Sequence, residues 1–226
     1  MMHGRTVGRL GRFDLEAADR LLQTLFRGRR QFFREFWALR DVSFALTPGQ
    51  VLGVVGRNGS GKSTLLHLIA GHKMEGGGEP AAGSIIVNGR VGELAQRWPD
   101  DTITLAEALG VADGLARLDR ITRGEGSDED LSEADWTLEH RIAETLAKVD
   151  LPERDLARTI SGFSGGERTR IAVARLWLEA PDILLLDEPT NNLDAPGRAA
   201  ILALIDEWRG AALVASHDRD LLEHVD

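Results

Sequence analysis

The feature that most constrains this chain is a glycine-rich stretch between a short apolar run and a helical pattern. The stretch reads G-R-N-G-S-G-K-S and spans residues 56–63. The apolar run Val51–Val55 before it predicts a strand buried on both faces. Residues 62–70 continue with the apolar spacing of a helix. Strand, glycine-rich loop and helix in this order begin an α/β unit that binds phosphate groups.

This stretch fits the P-loop pattern G-x-x-x-x-G-K-[ST]. Glycines let the backbone curl so that several N–H groups face one phosphate chain, and the helix that follows adds its positive end. Lys62 is predicted to reach the β- and γ-phosphates, and the Ser63 hydroxyl to ligate Mg²⁺. The alternative is a glycine turn before a core helix. The predicted nucleotide-binding residues, which we call the phosphate loop, are Gly56, Arg57, Asn58, Gly59, Ser60, Gly61, Lys62, Ser63 and Thr64.

A second motif, I-L-L-L-D-E-P-T, spans residues 183–190. Asp187 ends a hydrophobic run and is predicted to hold Mg²⁺ through water. Glu188 follows on the other side of the chain and is predicted to be the general base that polarises the attacking water. The alternative is an Asp-Glu pair that only caps a turn, and the presence of a phosphate loop in the same chain argues against it.

A third motif, F-S-G-G-E at residues 163–167, opens an apolar-periodic helix. It therefore predicts a second anion-binding helix N-terminus. One phosphate loop has no obvious use for a second such loop, unless this one covers a γ-phosphate bound by a different subunit. The alternative is an ordinary helix N-cap.

Composition excludes several classes of protein. Hydrophobic residues make up 42% and charged residues 28%, as in soluble globular proteins. The absence of cysteine excludes disulfides, thiolate metal sites and cysteine nucleophiles, and is compatible with a reducing cytosol. No run approaches the roughly 18 apolar residues of a transmembrane helix, so work at a membrane would need a membrane partner.

Charge is distributed unevenly along the chain. Residues 1–40 hold nine arginines and four acidic residues, a charge of +5. Because the net charge of the chain is −9, the remaining residues carry −14. The acidic body argues against direct, nonspecific nucleic-acid binding by this segment, and no direct sequence-specific nucleic-acid binding is expected from it. Residues 1–35 are interpreted as a basic N-terminal arm, with an amphipathic helix at 14–27. This arm either touches an acidic surface or is a solvated tail that contains a helix.

Apolar periodicity and turn residues predict the remaining elements. Residues 102–152 are mostly helical and acidic, interrupted by an exposed loop at 124–135 with a helix N-cap near Ser132. The other predicted elements are a strand at Val42–Leu46, a turn at 47–49, a strand at Ser84–Asn88 that ends in a hairpin-type turn, strands at Ile183–Leu186 and Ala212–Ala215, and a helix at Ala199–Trp208.

The order P-loop, Gln, S-G-G, D-E-P-T, N-L-D and S-H-D resembles the ATP-binding cassette (ABC) superfamily across residues 40–226. The resemblance implies an α/β P-loop NTPase of the ABC type, with a mixed sheet core, an antiparallel β flank and a helical subdomain at about 97–160. Residues 36–226 would form one nucleotide-binding domain. It also implies ATP and Mg²⁺ as cofactors, ATP hydrolysis, and a second cassette as partner.

The same resemblance assigns further residues. Gln96 would couple Mg²⁺ to partner contacts, and His217 would contact the γ-phosphate. The family's signature loop, which acts on the opposite subunit, corresponds to Ser164, Gly165 and Gly166. The segment that crosses the dimer seam corresponds to Asn192, Leu193 and Asp194. The aromatic residue that stacks on adenine is left open among Phe33, Phe36 and Trp37.

The two halves of the chain resemble different cassettes. Residues 1–91, most clearly 36–71, are similar to ATP-binding subunits that energise export of cell-surface polysaccharides. Residues 92–226, with S-G-G-E-R-T-R-I-A and D-E-P-T-N-N-L-D, are similar to the first cassette of the F subfamily, which acts on ribosomes. The second resemblance covers more residues and predicts a cytoplasmic ATPase module of a translation factor.

Two alternatives to the translation factor stay open. One is an exporter subunit bound to a membrane permease, peripheral at the inner membrane. The other is a nucleotide-binding remnant without turnover. The chain stops soon after the His217 segment, so the cassette is expected to be truncated at its C-terminus.

Overall fold

The computed structural model describes residues 6–10, 42–57, 59–72, 84–94, 98, 100–151, 155–191 and 193–225, with the backbone alone at 6–10, 219, 224 and 225. No helix in these ranges is long and apolar enough to cross a bilayer. The chain divides into two compact units, which are described separately. The first contains the described parts of residues 1–91, 183–188 and 209–226, and the second those of 92–182 and 189–208.

The first unit is a layered α/β structure. Its strands are β1 (Thr6–Leu10), β2 (Val42–Ala45), β3 (Val51–Val55), β4 (Val91–Glu93, which begins in this unit), β5 (Ile183–Asp187) and β6 (Ala211–Ser216). Its helices are α1 (Lys62–Ala70) and α8 (Arg219–Val225). Strands β1 and β2 pair antiparallel in a separate two-stranded sheet. This pair confirms the expected antiparallel flank, although β1 itself is not predicted from the sequence.

The main sheet has the order β3-β6-β5-β4. Strand β6 lies in the middle and pairs parallel with β3 on one side and with β5 on the other. All six residues of β6 are buried, as are the first four of β5. Leu65, Leu66 and Ile69 of α1 belong to the same buried core as Leu185 and Leu213 of these strands. The apolar runs therefore form a parallel sheet covered by the helix that follows the phosphate loop.

Two strand predictions in the first unit are wrong in part. Strand β3 is not buried on both faces, because Gly53 is exposed and Val55 is 70% exposed. Residues Ser84–Asn88 form no strand, although their side chains alternate between exposed and half-buried. Alternation alone does not make a strand, since a strand also needs a neighbouring backbone to pair with. The strands predicted around residues 42–46, 183–186 and 212–215 are confirmed.

The second unit is helical. It contains α2 (Leu105–Ala108), α3 (Ala112–Thr122), α4 (Asp128–Glu133), α5 (Leu138–Lys148), a 3₁₀ turn (Ile160–Gly162), α6 (Gly165–Glu179) and α7 (Ala195–Glu207). Helix α6 lies at the centre of this unit, because it packs against α2, α5 and α7. Ile171, Val173 and Leu176 of α6 are at most 1% exposed. The predicted α/β fold class with a helical subdomain is therefore confirmed, whereas the domain limits 36–226 and about 97–160 stay predictions.

Two helix starts in this unit differ from the prediction. Helix α4 begins after Ser127, not near Ser132, because Ser127 and Asp130 form a capping box. Residues 128–133 are thus helix within the stretch predicted to be an exposed loop. Helix α7 begins at Ala195, four residues before the predicted Ala199, since Asp194 caps it and Pro196 is tolerated in a first turn. The predicted helix at residues 14–27 lies outside the described residues.

Candidate functional site

The phosphate loop connects the carboxyl end of β3 to α1, as the sequence predicts. Gly59 and Gly61 adopt φ angles of 79° and 92°, a left-handed conformation that residues with a Cβ rarely adopt. A Cβ on Gly56 would lie 2.4 Å from the Ser60 Oγ. The glycines are therefore required by the course of the backbone. Asn58 lies outside the described residues.

The start of α1 is left open by its own side chains. Gly61 is the N-cap residue and makes no side-chain hydrogen bond, and the first turn holds no acidic residue. The first amides of a helix have no partner within the helix and carry a partial positive charge. Ser63 lies in this first turn and is exposed, and Thr64 is half-buried.

Lys62 lies across the loop and not out in solvent. Its side chain is 7% exposed, and its Nζ donates to the Gly56 carbonyl at 2.7 Å and to the Arg57 carbonyl at 3.4 Å. The same Nζ lies 3.3 Å from the Glu188 Oε1. The ammonium group is thus held over the loop and paired with a carboxylate.

Glu188 lies just beyond the carboxyl end of β5, directly after Asp187. Its φ of 45° is a strained conformation for a residue with a side chain, and its amide donates to the Ala215 carbonyl at 2.7 Å. Its carboxylate, 15% exposed, lies 2.7 Å from the His217 Nδ1 and accepts from the His217 amide at 3.3 Å. Burial would raise the pKa of Glu188, but the hydrogen bonds from His217 and the contact with Lys62 outweigh burial, so the pKa is lowered.

His217 follows β6 and is 58% exposed. Because β3, β6 and β5 run parallel, the segments after their carboxyl ends meet at one edge of the sheet. This edge brings Lys62, Glu188 and His217 together. The sequence did not predict that His217 bonds Glu188 directly, nor that the buried Ser216 Oγ lies 3.5 Å from the same carboxylate and accepts from the Asp218 amide. The S-H-D triplet after a predicted strand was the available signal.

The signature loop, Ser164–Gly166, opens α6 in the second unit. The Ser164 Oγ accepts from the Glu167 amide at 3.3 Å, and the Glu167 carboxylate accepts from the Ser164 amide at 2.9 Å. This is a capping box, so the N-cap interpretation of these residues is confirmed as local geometry. It does not decide whether the loop also contacts a phosphate.

Asp194 lies beside the signature loop. Its Oδ1 accepts from the Gly197 amide at 2.8 Å and caps α7. A Cβ built on Gly166 would lie 2.6 Å from the Asp194 Oδ2. The sequence predicted both residues for the seam between two cassettes, and the structure places them next to each other.

The described site residues fall into two sets. The first unit holds the phosphate loop, Asp187, Glu188 and His217, and the second holds the signature loop and Asp194. Gln96 and Asn192, and the aromatic candidates Phe33, Phe36 and Trp37, lie outside the described residues.

Metal ligation by side chains alone is not supported. Within the part of the chain that the structure describes, no group of three or more His, Cys, Asp or Glu residues could hold a metal ion. The predicted donors Ser63 and Asp187 are oxygen ligands, which suit Mg²⁺, an ion that usually binds one or two carboxylates together with substrate phosphates. The donor set therefore fits Mg²⁺ bound together with a nucleotide.

Known proteins resemble the chain in sequence. The translational throttle protein EttA of Escherichia coli K12 is 34% identical over 206 residues, which cover 83% of this chain and 37% of EttA. The tylosin resistance ATP-binding protein TlrC of Streptomyces fradiae is 32% identical over 211 residues, which cover 83% of this chain and 38% of TlrC. The chain thus spans less than two fifths of these relatives.

A solved structure and a family model agree on the fold and the family. The structure of an ATP-binding subunit of an ABC transporter matches with a TM-score of 0.66 at 22% identity, covering 97% of this chain and 83% of that one. A family model described as ABC transporter matches residues 39–191, more than half of the sequence. The chain therefore belongs to the ABC transporter family.

Proposed function

We propose that this chain binds ATP with Mg²⁺ at the phosphate loop and hydrolyses it as one of two head-to-tail cassettes. ABC ATPase domains in general bind ATP and Mg²⁺ and hydrolyse ATP. The observation that carries the proposal is the position of Glu188, which lies 2.7 Å from the His217 ring and 3.3 Å from the Lys62 Nζ. A carboxylate, an imidazole and an ammonium group thus meet where the phosphate loop begins its helix.

Binding would rest on the phosphate loop. The open first turn of α1 supplies main-chain donors to the β-phosphate, and Lys62 moves from Glu188 to the β- and γ-phosphate oxygens. In the described state Glu188 and two loop carbonyls compensate the charge of Lys62. Phosphate oxygens would replace these contacts when ATP binds.

Hydrolysis would use Glu188 as general base. Its carboxylate hydrogen-bonds the attacking water and orients it towards the γ-phosphorus. Although burial would raise its pKa, the hydrogen bonds from His217 lower it, so the carboxylate stays ionised near neutral pH, as a base requires. His217 fixes the carboxylate through its ring and amide, and its exposed ring then contacts the γ-phosphate.

Mg²⁺ would be held by Ser63 directly and by Asp187 through water, with Gln96 as a further ligand. Bound there, the ion would neutralise negative charge on the phosphates. Ser63 opens α1 and Asp187 ends β5, and α1 packs against that strand. Both side chains therefore belong to the first unit.

A second cassette would complete the site. The signature loop and Asp194 occupy a different unit from the phosphate loop, and a serine hydroxyl with two glycines suits close approach to a phosphate. In a head-to-tail pair, the signature loop of each cassette covers the γ-phosphate held by the other. Each chain then supplies half of two sites.

The ATPase proposal is tested by measuring phosphate release as a function of protein concentration. The rate per chain should rise with concentration, because the site is shared between two cassettes. The Glu188→Gln form should bind ATP, while its turnover falls by orders of magnitude. If the unaltered chain binds ATP but releases no phosphate at any protein concentration, it is a nucleotide-binding remnant and the proposal is refuted.

The work done with this ATP is proposed to be on the ribosome, in the cytoplasm. The resemblance of residues 92–226 to F-subfamily cassettes supports this, as does the 34% identity to EttA, whose name describes a throttle of translation. The gene product that carries this sequence should cosediment with ribosomes in the Glu188→Gln form when ATP is present. Equal sedimentation with and without ATP would contradict the proposal.

An exporter subunit is the second candidate, favoured by the resemblance of residues 36–71 to polysaccharide exporters. It predicts copurification with a membrane permease, at the inner membrane. Comparing permease and ribosomal proteins in one purification of the tagged gene product distinguishes the two functions.

A further inference from the structure

Arg168 connects the signature loop to a distant part of the chain. It lies in the first turn of α6, directly after the signature loop and Glu167. Its Nε donates to the Phe163 carbonyl at 3.2 Å, and its Nη1 donates to the Asp101 Oδ1 at 2.9 Å. One guanidinium group thus joins the residue before Ser164 to a carboxylate that lies 67 positions before Arg168 in the sequence.

Asp101 is a fixed anchor and not only an exposed carboxylate. Its carbonyl accepts from the Ser161 amide at 2.9 Å, which begins a run of main-chain pairs between residues 101–106 and 156–161. The other pairs are Ile160 N to Ile103 O at 2.9 Å, Leu105 N to Arg158 O at 2.9 Å and Ala106 N to Leu156 O at 3.0 Å. The segment that carries Asp101 is therefore joined to the segment that enters the signature loop.

The residues before Ser164 are held from a second direction as well. Arg158 donates to the Gly162 carbonyl, and its guanidinium lies 4.5 Å from the centre of the Phe163 ring. The Phe163 side chain is buried. Two arginines thus donate to the main-chain carbonyls of residues 162 and 163, directly before the signature loop.

The Arg168–Asp101 pair contributes more to geometry than to stability. The two side chains are 28% and 56% exposed, and exposed ion pairs add little to the free energy of unfolding. A planar guanidinium that donates to two oxygens, one of them a main-chain carbonyl, does restrict direction, which a lysine ammonium does less well. Small errors in position can cost large factors in rate.

We propose that Arg168, anchored by Asp101, is a positioning residue that sets the direction of the signature loop towards the nucleotide held by a second cassette. The inference rests on the proposed head-to-tail ATPase. It assigns Arg168 no contact with nucleotide. Its effect is therefore expected in the partner's site and not in the site of its own chain.

The test compares turnover and binding in Arg168→Ala. Turnover at saturating ATP should fall about tenfold, while the Kd for a fluorescent ATP analogue, measured on dilute protein, stays unchanged. Asp101→Asn should lower turnover in the same direction, and Arg168→Lys should recover part of it. Arg123→Ala is the matched control, because Arg123 forms a similar exposed pair with Asp119 at 2.7 Å in the same unit.

Mixing two variants shows in which site Arg168 acts. The Arg168→Ala chain is combined with an excess of the Glu188→Gln chain, which has lost nearly all turnover but carries an intact signature loop. Turnover per Arg168→Ala chain should rise about tenfold, to the rate of one normal site, because the Gln chain supplies the loop in trans. An unchanged rate on mixing would place the defect in cis and overturn the inference.

The remaining outcomes separate the two proposals. Normal turnover in Arg168→Ala, or loss of turnover together with ATP affinity, overturns the inference alone. Equal loss in Arg123→Ala also overturns it, since any exposed ion pair would then do the same. Absence of turnover in the unaltered chain overturns the proposed function, and the inference with it.

Discussion

Two helices of this chain begin behind a glycine-containing loop, and their first turns are satisfied in different ways. Helix α1 starts from Gly61 with no side-chain cap and no acidic residue in the first turn. Helix α6 starts from Ser164 with a capping box that includes the Glu167 carboxylate. An anion therefore meets open amides at α1 but an already capped, partly neutralised start at α6.

This difference indicates that the two loops differ in how they bind phosphate. The phosphate loop has the donors to bind phosphates by itself, whereas the signature loop needs nucleotide that is already held elsewhere. A chain with two equivalent anion sites would respond alike to changes in the two loops.

The largest effect is expected from Glu188→Gln. Because the proposed general base is lost, phosphate release should fall by roughly 10²–10⁴-fold. ATP binding should persist, since the phosphate loop is intact. Stopped-assay phosphate release and equilibrium nucleotide binding measure the two quantities. Turnover within a fewfold of the unaltered chain would exclude Glu188 as the base.

The second-largest effect is expected from Lys62→Ala, which should weaken ATP binding. Two charge-assisted hydrogen bonds to phosphate contribute roughly 1.5–3 kcal/mol each, so the Kd for ATP should rise about a hundredfold or more. Lys148→Ala is the control, since Lys148 bonds Glu207 in the second unit. Unimpaired ATP binding by Lys62→Ala would show that the phosphate loop is not the primary site.

Gly166→Ala and Gly165→Ala form a matched pair in the signature loop. A Cβ at 166 would lie 2.6 Å from the Asp194 carboxylate, while one at 165 meets no atom of the described residues within 4 Å. Overpacking of this kind costs about 1–3 kcal/mol, and it would displace either the loop or Asp194. Turnover should therefore fall about tenfold in Gly166→Ala and less in Gly165→Ala, with ATP affinity unchanged in both.

The smallest effect concerns stability. Ser164→Ala removes an N-cap and should lower the free energy of unfolding by about 1 kcal/mol, measured by urea denaturation. Ser63→Ala removes no cap, since Gly61 caps α1 without a side chain, and should leave the stability unchanged. It should instead weaken Mg²⁺-dependent ATP binding. Equal destabilisation by both changes would remove the distinction between the two helix starts.

Local sequence rules were enough for much of the fold. Residues 51–70 carry strand, loop and helix signals in direct succession, and residues 183–187 carry a strand signal. The bounds of these elements are confirmed to within one residue. Ser84–Asn88 shows the limit of such rules. Its alternation predicted a strand, but pairing depends on a neighbour that the sequence does not specify locally.

In the candidate site, too, local sequence rules predicted some features and not others. The glycines at 59 and 61 and the spacing to Lys62 follow from motif chemistry, because the left-handed backbone needs glycine. The sequence by itself thus determined the residue types of the phosphate loop and the order in which they occur.

Only the tertiary structure decided which of these residues meet. His217 contacts Glu188 because β6 lies beside β5, and Gly166 faces Asp194 because α6 packs against α7. Arg168 reaches Asp101 because residues 101–106 pair with 156–161. Such contacts join residues distant in sequence, and the periodicity of one segment carries no information about which other segment packs against it.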